Sequence, residues 1–521
     1  MLILAILIGL YSYSILLLGL CHLLKFGPVF IDSIAWSFVF FWIVRRQIRN
    51  YFIRIRFIDL SRTEKGIVAL LCLLIGVNVV GALGPELAFD ALWYHLTIPK
   101  IFIQQNSIYF IKDTLFYYSL MPKLTEMLYV TSLILSNEIT AKIIHLIFGL
   151  LTCIVLFRLS RQYLSKVLSY VVVLLFYSNL VVMWLSITAF TDLSRSFYET
   201  YALFYFLYYL KDGKYKPLLL SAVLLGFAIC AKVLAIGTIP IFILFIFFVK
   251  RISLQRKVKQ ATLFLFVSML VPLPWFLISI FYTKNPIYPL FSGLELRNFS
   301  VDLLSPITFI KTFLGMFLYS PDPISPIYII ILPIAVMGVA MLFKKHRFLV
   351  IYSIYTYVLW YTTSQSGGAR FLTAYLPAYS LLAILVLLAQ KNKTIMRIAV
   401  LSVILIAMTN LLYRVAANAK YIPVILGIQS KQSFLMNNLN FGFGDFYDEN
   451  GDIRQIVGNE KVLLWNVHNI YYVDFNYNLE KPMNFKEISY ILVQNTNLPQ
   501  ELATAKVVYK NTKTHARLYK L

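Results

Sequence analysis

The stretch Leu83–Leu128 reads LGPELAFDALWYHLTIPKIFIQQNSIYFIKDTLFYYSLMPKLTEML. It decides the fold because of where it begins. The apolar run Gly66–Leu83 brings the chain to a membrane surface, and Gly84-Pro85 then break the helix. Asp90 follows at once, with Tyr94, His95 and Lys100 behind it. A carboxylate, a phenol, an imidazole and an amine directly after an apolar span need an explanation, since ionisable groups at membrane depth are costly and are kept for use.

The composition says what surrounds this stretch. Of 521 residues, 60% are hydrophobic and only 13% are charged, and the mean hydropathy is +0.75. A soluble chain of this length has no need of so much apolar side chain, so a polytopic membrane protein is predicted. The net charge of +24 raises the question of nucleic acid. The basic residues, however, sit in short loops between apolar runs, where orientation in the membrane accounts for them, and no nucleic-acid partner is expected. Cys21, Cys72, Cys153 and Cys230 all lie inside apolar runs, which argues against a structural disulfide. The N-terminus is apolar from Met1, without a basic start or a small-residue cleavage pattern, and reads as an uncleaved anchor.

Candidate spans fall at 2–21, 28–44, 66–84, 138–158, 167–187, 192–210, 217–231, 233–249, 260–281, 326–343, 348–363, 371–390 and 394–413. That is about thirteen helices, several near the lower limit of about 17 residues. Lys and Arg fill every second connection. They are Arg45 to Lys65, then Arg158, Arg161 and Lys166, then Lys211, Lys214 and Lys216, then Lys250 to Lys259, then Lys344, Lys345 and Arg347, then Lys391, Lys393 and Arg397. Those loops are assigned to the cytoplasm, so the N-terminus is inside and Asn418–Leu521 outside. The alternation keeps Met121–Leu135 from crossing and predicts a short amphipathic helix at the outer surface. It also makes Pro217–Val249 a hairpin of two short arms, each about 22 Å long at helical rise, with Lys232 at its sunken outer tip. Topology thus collects Asp90, Asp192, Lys232, Lys284, Arg370 and the C-terminal region on one side.

After Arg414 the composition changes. Lys461–Trp465, Ile470–Phe475, Ile488–Val493 and Val507–Leu521 read as strands, the last a hairpin turning at Thr512–His515. Ser430–Asn438 and Ile453–Asn459 read as helices. A small α/β domain outside the membrane is expected.

Each charged candidate has an ordinary reading beside its chemical one. Asp90, before Ala91–Leu96, suits a helix N-cap. Asp192, in Thr188-Ala-Phe-Thr-Asp-Leu-Ser-Arg, suits another cap, with Arg195 as a local partner. Glu199 would be buried and would need compensation from a cation, a proton or a substrate. Lys232 and Arg370 would, by default, snorkel to lipid headgroups. Their place on an outer face otherwise poor in basic residues favours an anion, and the flexible Ser364-Gln-Ser-Gly-Gly-Ala run before Arg370 offers backbone N–H groups for one. Glu126 can pair with Lys123 at i+3, Asn285-Pro-Ile-Tyr-Pro is a turn, and His468 and Tyr471 read as fold residues. There is no P-loop, zinc pattern or GxSxG.

In these residues and their order the chain resembles the GT-C superfamily of integral membrane glycosyltransferases, among them the protein O-mannosyltransferases and the aminoarabinose transferases of lipid A. The resemblance rests on Phe89-Asp-Ala-Leu-Trp-Tyr-His-Leu-Thr-Ile-Pro-Lys100, Met121-Pro-Lys-Leu-Thr-Glu-Met-Leu-Tyr129, Thr188-Ala-Phe-Thr-Asp192, Cys230-Ala-Lys232, Asn285-Pro-Ile-Tyr-Pro289 and Ala369-Arg-Phe-Leu-Thr-Ala-Tyr-Leu-Pro377. It covers roughly residues 60–415, and two additional spans precede the usual first helix.

The resemblance implies a mainly α polytopic membrane protein of GT-C type, about 13 transmembrane helices with a small C-terminal α/β extracytoplasmic domain. Its parts would be 1–60, 61–415 and 416–521. It implies transfer of a sugar, with inversion, from a polyprenyl-phosphate-linked donor to a glycan, lipid or protein acceptor at the outer face of the plasma (inner) membrane. Asp90 would be the general base. Lys232, Arg370 and Lys100 would hold the donor phosphate. Tyr94, His95, Lys123, Glu126, Asp192 and Tyr288 would line the acceptor cavity. No cofactor is required, although Asp192 and Glu126 are the residues for a divalent cation if one binds. The competing readings are a lipid or sugar transporter or flippase, a ligase of sugar polymers using the same donors, and a non-catalytic assembly subunit. The clustering of charge at one outer level, without paired repeats or midplane charges, speaks against transport.

Overall fold

In the computed structural model, residues 1–52, 60–112, 115–250, 252–292, 305–318, 323–363, 365–479, 488–502 and 504–521 are described. Arg54, Arg56, Arg251 and Ser364 lie outside these residues.

The chain is mostly helical up to Asn418 and ends in a small sheet. The helices Leu2–Leu20, Arg62–Leu83, Glu138–Ser160 and Lys393–Ile425, and Phe26–Ile43 of the second helix, are each long and apolar enough to cross a membrane. A pair bent by 63°, Leu254–Leu270 and Leu273–Thr283, would make a sixth span. Helix length alone therefore supports fewer than thirteen crossings among the described residues. The reason lies in breaks that the hydropathy pattern does not register. The span expected at 167–187 is two helices, Lys166–Tyr177 and Leu180–Leu185. They part at Ser178-Asn179, where the Asn179 amide donates to Leu175 O and Phe176 O at 2.6 and 3.0 Å. The two spans expected at 326–343 and 348–363 meet in one run, Ile327–Thr362, with non-helical backbone at His346 (φ −129°, ψ 33°). A helix at Pro306–Leu318 was not expected from the sequence.

Two stretches that are ambiguous in hydropathy have definite backbones. Leu124–Leu135 is a helix of 12 residues, well short of a bilayer, but Leu124–Val130 are all buried, so it packs among neighbouring helices instead of showing the expected amphipathic face. The Tyr215–Ala231 helix stops at Lys232, whose backbone is extended (φ −157°, ψ 118°), and a 3-10 turn and the Ile239–Phe247 helix come next. The chain then returns to its start: a Cβ on Gly213 would lie 3.8 Å from Val249 Cγ1. This is the predicted hairpin with Lys232 at the break.

The helix Asp192–Asp212 runs through the centre and is buried along most of its length. Phe197, Tyr198, Tyr201 and Phe206 pack into aromatic neighbours on several sides. Its two polar ends, Asp192 and Lys211, consequently have fixed places in the molecule.

The C-terminal sheet has the order β2-β1-β3-β5-β4, built from β1 (Val462–Trp465), β2 (Tyr477–Asn478), β3 (Tyr490–Gln494), β4 (Lys506–Asn511) and β5 (Ala516–Lys520). β1 pairs in parallel with β2 and β3, while β5 is antiparallel to β3 and β4. The β4–β5 hairpin turns where the sequence predicts, and helices form at Lys431–Asn438 and Asp452–Val457. Ile470–Phe475 is not a strand. Its β-branched and aromatic residues serve another purpose: the segment lies against the helical body, and its carbonyls receive Lys100.

Candidate active site

Gly84 and Pro85 end the Arg62–Leu83 helix. Two buried side chains that no motif announces, Lys142 and Glu86, shape the turn after it. The Lys142 ammonium donates to Gly81 O, Gly84 O and Pro85 O at 3.0, 2.7 and 3.2 Å, satisfying carbonyls at the helix end. Gly84 is required by close packing, because a Cβ there would collide with the Tyr421 ring. The Glu86 carboxylate accepts from Leu87 N and Ala88 N with one oxygen and from Ala189 N, at 2.6 Å, with the other. Glu86 thus ties the Asp90 loop to the Thr188–Asp192 turn.

Asp90 enters a π-helical turn, Ala91–His95, with helical backbone and no capping hydrogen bond from its side chain. The N-cap reading fails. Its Oδ2 instead accepts from the Tyr94 hydroxyl at 3.1 Å and from Arg370 Nη1 at 2.6 Å. Asp192 is likewise not a cap in its bonding. Its Oδ1 receives Lys232 Nζ at 2.6 Å, and its Oδ2 lies 3.9 Å from Arg370 Nε. Arg370 therefore bridges both carboxylates. The four residues come from four separate segments, and two acids face two bases, so the cluster has no net charge.

Aromatic faces set the cations in place. Lys232 Nζ lies 4.4 Å from the Phe371 ring centre, and the Arg370 guanidinium lies 4.8 Å from Phe190 and 5.1 Å from Phe371. Arg370 lies in a 3-10 segment in which Gly368 has φ +50°, a backbone region that favours glycine, and Gly368 O accepts from Trp360 Nε1 at 2.9 Å. Burial alone would lower the Arg370 pKa, but Asp192 and Asp90 outweigh it and hold the guanidinium firmly charged. The cluster is recessed yet open: the side chains of Asp90, Arg370 and Lys232 are 17, 13 and 14% exposed, and Asp192 only 4%.

His145, equally unannounced in the sequence, secures the turn that carries Asp192. Its Nε2 accepts from Leu193 N at 3.0 Å, and its Nδ1 faces Leu185 O and Thr188 O, each at 2.8 Å. The two accepting carbonyls fix the proton on Nδ1. One turn further along the helix, Arg195 Nε binds Glu199 at 2.9 Å and its Nη2 binds the Tyr375 hydroxyl at 2.5 Å. Arg195 is thus the partner of Glu199, not of Asp192. It supplies the compensation that a buried carboxylate needs.

The remaining candidates divide. His95 Nδ1 meets Glu126 Oε1 at 2.9 Å, with Lys123 Nζ 3.9 Å from the same oxygen, and all three are buried. Tyr94 joins this group to Asp90, its ring 4.2 Å from His95 and 4.5 Å from Tyr118. Lys100 is not at the cluster. It donates to Tyr471 O and Val473 O at 2.7 and 2.5 Å, and burial brings its pKa down to about 8. It belongs to the join with the C-terminal domain. Tyr288 packs edge-on against Phe110 and enters none of the bonds of the cluster. Asp192 and Glu126, the residues named for a cation, each already face basic groups, Lys232 and Arg370 in one case and His95 and Lys123 in the other. Among the described residues no group of three His, Cys, Asp or Glu side chains is gathered for a metal.

The arrangement resembles known proteins in both sequence and fold. Residues 127–276 match the family model described as dolichyl-phosphate-mannose-protein mannosyltransferase, a region that includes Asp192 and Lys232. The crystal structure of ArnT from Cupriavidus metallidurans in the apo state is similar over 88% of this chain and 98% of that one, with a TM-score of 0.56 at 14% identity. The same protein bound to undecaprenyl phosphate gives 0.53 at 12% identity over the same shares. The fold of this chain is therefore that of ArnT. The curated proteins give no match.

Proposed function

We propose that this chain is a membrane glycosyltransferase that moves a sugar from a polyprenyl-phosphate-linked donor to an acceptor, with Asp90 as the general base and Lys232 and Arg370 as the receptors of the donor phosphate. The observation that carries this reading is the Asp90–Arg370–Asp192–Lys232 cluster: a carboxylate able to take a proton lies beside two cations able to hold an anion. Nothing in the geometry calls for a transporter.

The chemistry comes from these groups. The acceptor hydroxyl or amine gives its proton to Asp90 as its oxygen or nitrogen attacks the anomeric carbon. The bond from that carbon to the phosphate oxygen breaks, and its electron pair stays on the phosphate. The phosphate gains negative charge as this happens, so Lys232 and Arg370 bind it more strongly in the transition state than in the donor. Both cations are held by carboxylates in the free protein, so the phosphate must compete for them. As it takes Arg370, Asp90 loses its counter-ion and becomes the better base. Attack opposite the phosphate inverts the anomeric carbon.

The His95–Glu126–Lys123 group supports Tyr94 and the acceptor side of the site. Residues 1–60 are read as two additional spans and a basic loop, 61–415 as the catalytic region, and 416–521 as an extracytoplasmic domain. The basic loops support an N-terminus in the cytoplasm and about thirteen crossings, several made by short or broken helices. Plasma (inner) membrane residence agrees with that topology.

The test is direct. Purified protein is incubated with radiolabelled polyprenyl-phosphate sugars and cell-envelope acceptors. Transfer from a lipid-linked donor, absent with nucleotide sugars, is expected. Label movement without bond formation in sealed vesicles would support a flippase instead.

A further inference from the structure

A cavity of about 630 Å³ opens far from the carboxylates, among Gln162, Tyr163, Lys211, Lys250, Lys345 and Arg347. Lys211 stands near one end of the 21-residue helix Asp192–Asp212 and Asp192 begins the other, so the cavity is about 30 Å from the candidate active site at helical rise. That is about the thickness of the hydrocarbon layer.

Basic residues in loops on one face follow from membrane orientation alone. Their convergence does not. The lining comes from four connections that are far apart in sequence: after Ser160, at the end of the central helix, after Phe247 and at the His346 break. No carboxylate stands in it, and none of Lys211, Lys250, Lys345 and Arg347 has an acidic partner among the described residues. The wall is also shaped for an anion. Lys211 donates to Gln162 Oε1 at 2.9 Å and so orients the amide, leaving the buried Gln162 Nε2 with no acceptor. Lys211 lies over the Tyr163 and Tyr208 rings, and His346 packs edge-on to Tyr163. Phe245, Phe248 and Leu349 supply an apolar flank.

We propose that this cavity binds the phosphate of an anionic lipid headgroup, or a free phosphate of the same chemistry, with Lys211, Lys345 and Arg347 around the charge and Gln162 Nε2 donating to one of its oxygens. An apolar flank beside cations that have no acidic partner among the described residues suits a phosphate carried on an acyl chain. The proposal does not depend on the enzymatic reading, because it uses no residue of the Asp90 cluster.

The full-length protein in phosphatidylcholine nanodiscs is titrated with short-chain phosphatidylglycerol, phosphatidylcholine and inorganic phosphate, and bound lipid is counted by native mass spectrometry. Saturable binding of phosphatidylglycerol is expected, weakened at least about tenfold in Lys345→Gln/Arg347→Gln. It should be unchanged in Lys393→Gln/Arg397→Gln, which removes two basic residues elsewhere on the same face. Competition by inorganic phosphate at equal concentration would identify the phosphate itself as the ligand, and failure to compete would identify the lipid. Equal phosphatidylglycerol binding by both double variants would overturn the proposal. Should the first variant fold poorly, Gln162→Leu, which removes only the unpaired donor, must weaken binding several-fold, and unchanged binding there would be equally decisive against it.

Discussion

Arg370 Nη1 lies 2.6 Å from Asp90 Oδ2, the same oxygen that accepts the Tyr94 hydroxyl. The proposed base and the proposed phosphate receptor are therefore bonded to each other in the free protein. Asp90 and an incoming phosphate compete for one guanidinium. Removing the competing charge in Asp90→Asn should tighten the binding of a polyprenyl phosphate by about fivefold or more, the equivalent of about 1 kcal/mol for a charge interaction near a wet surface. Fluorescence titration of the purified variant measures this, and weaker binding would show that Asp90 holds Arg370 in place rather than competing for it.

The Lys232–Asp192 pair makes a different prediction. Asp192 is nearly sealed from solvent, with Lys232 Nζ at 2.6 Å. Lys232→Ala should lose donor use and also stability, by about 3–5 kcal/mol, because a buried carboxylate is left without its partner. The double variant Lys232→Ala/Asp192→Ala should regain much of the stability but none of the transfer. Thermal unfolding in detergent beside a donor-turnover assay separates the two effects. Full stability in Lys232→Ala would mean that Arg370 alone suffices for Asp192.

Glu126 and His95 predict how stability changes with pH. Burial alone would raise the Glu126 pKa, but Lys123 and His95 outweigh it and hold the carboxyl below its ordinary 4.5. Burial also lowers the His95 pKa below 6.5. Both values are depressed in the fold. The unfolded chain then binds more protons over the interval between folded and unfolded values, so stability falls with pH, first below about 6.5 for His95 and then below about 4.5 for Glu126. Melting temperature should drop as the pH falls below about 6.5 and again below about 4.5. Glu126→Gln should start lower at pH 7.5 and flatten the most acidic part of the curve, and parallel curves would contradict the pairing.

Lys100 fastens the C-terminal domain through two carbonyls, of Tyr471 and Val473. Lys100→Met keeps the length of the side chain and removes both donors. Hydrogen exchange should rise across Ile470–Phe475 while β3 and β5 stay protected. Unchanged exchange at 470–475 would place the fastening elsewhere, with Tyr472, whose hydroxyl donates to Glu86 O at 2.9 Å, the first alternative.

How much the sequence disclosed depends on the range of each interaction. Asp90, Asp192, Lys232 and Arg370 could be gathered because loop charge fixes which ends of the spans share a side. The hairpin broken at Lys232 was legible in its length and its basic flanks. The bonds that hold these residues were not legible. Asp90 has the local pattern of a cap, but Tyr94 and a guanidinium 280 positions away draw its carboxylate elsewhere. Arg195 looked like a partner for Asp192 at i+3, but its Nε bonds to Glu199 at i+4. Glu86, Lys142 and His145 act on backbone groups of distant turns, and no spacing announces that. Lys100 was assigned to the site by its place in a motif, whereas its direction depends on the fold of a domain far along the chain. Ile470–Phe475 has the composition of a strand, and packing against the helical body overrides that propensity.

The central claim is that Asp90 takes the proton of the acceptor, and single-turnover transfer by Asp90→Asn tests it most directly. Asn keeps the shape of the side chain, and polyprenyl-phosphate binding by the same sample reports that the site is intact. The account predicts a folded protein that binds the lipid phosphate at least as well as the wild type and transfers sugar about 10²–10⁴-fold more slowly. A folded Asp90→Asn protein with undiminished transfer would contradict it.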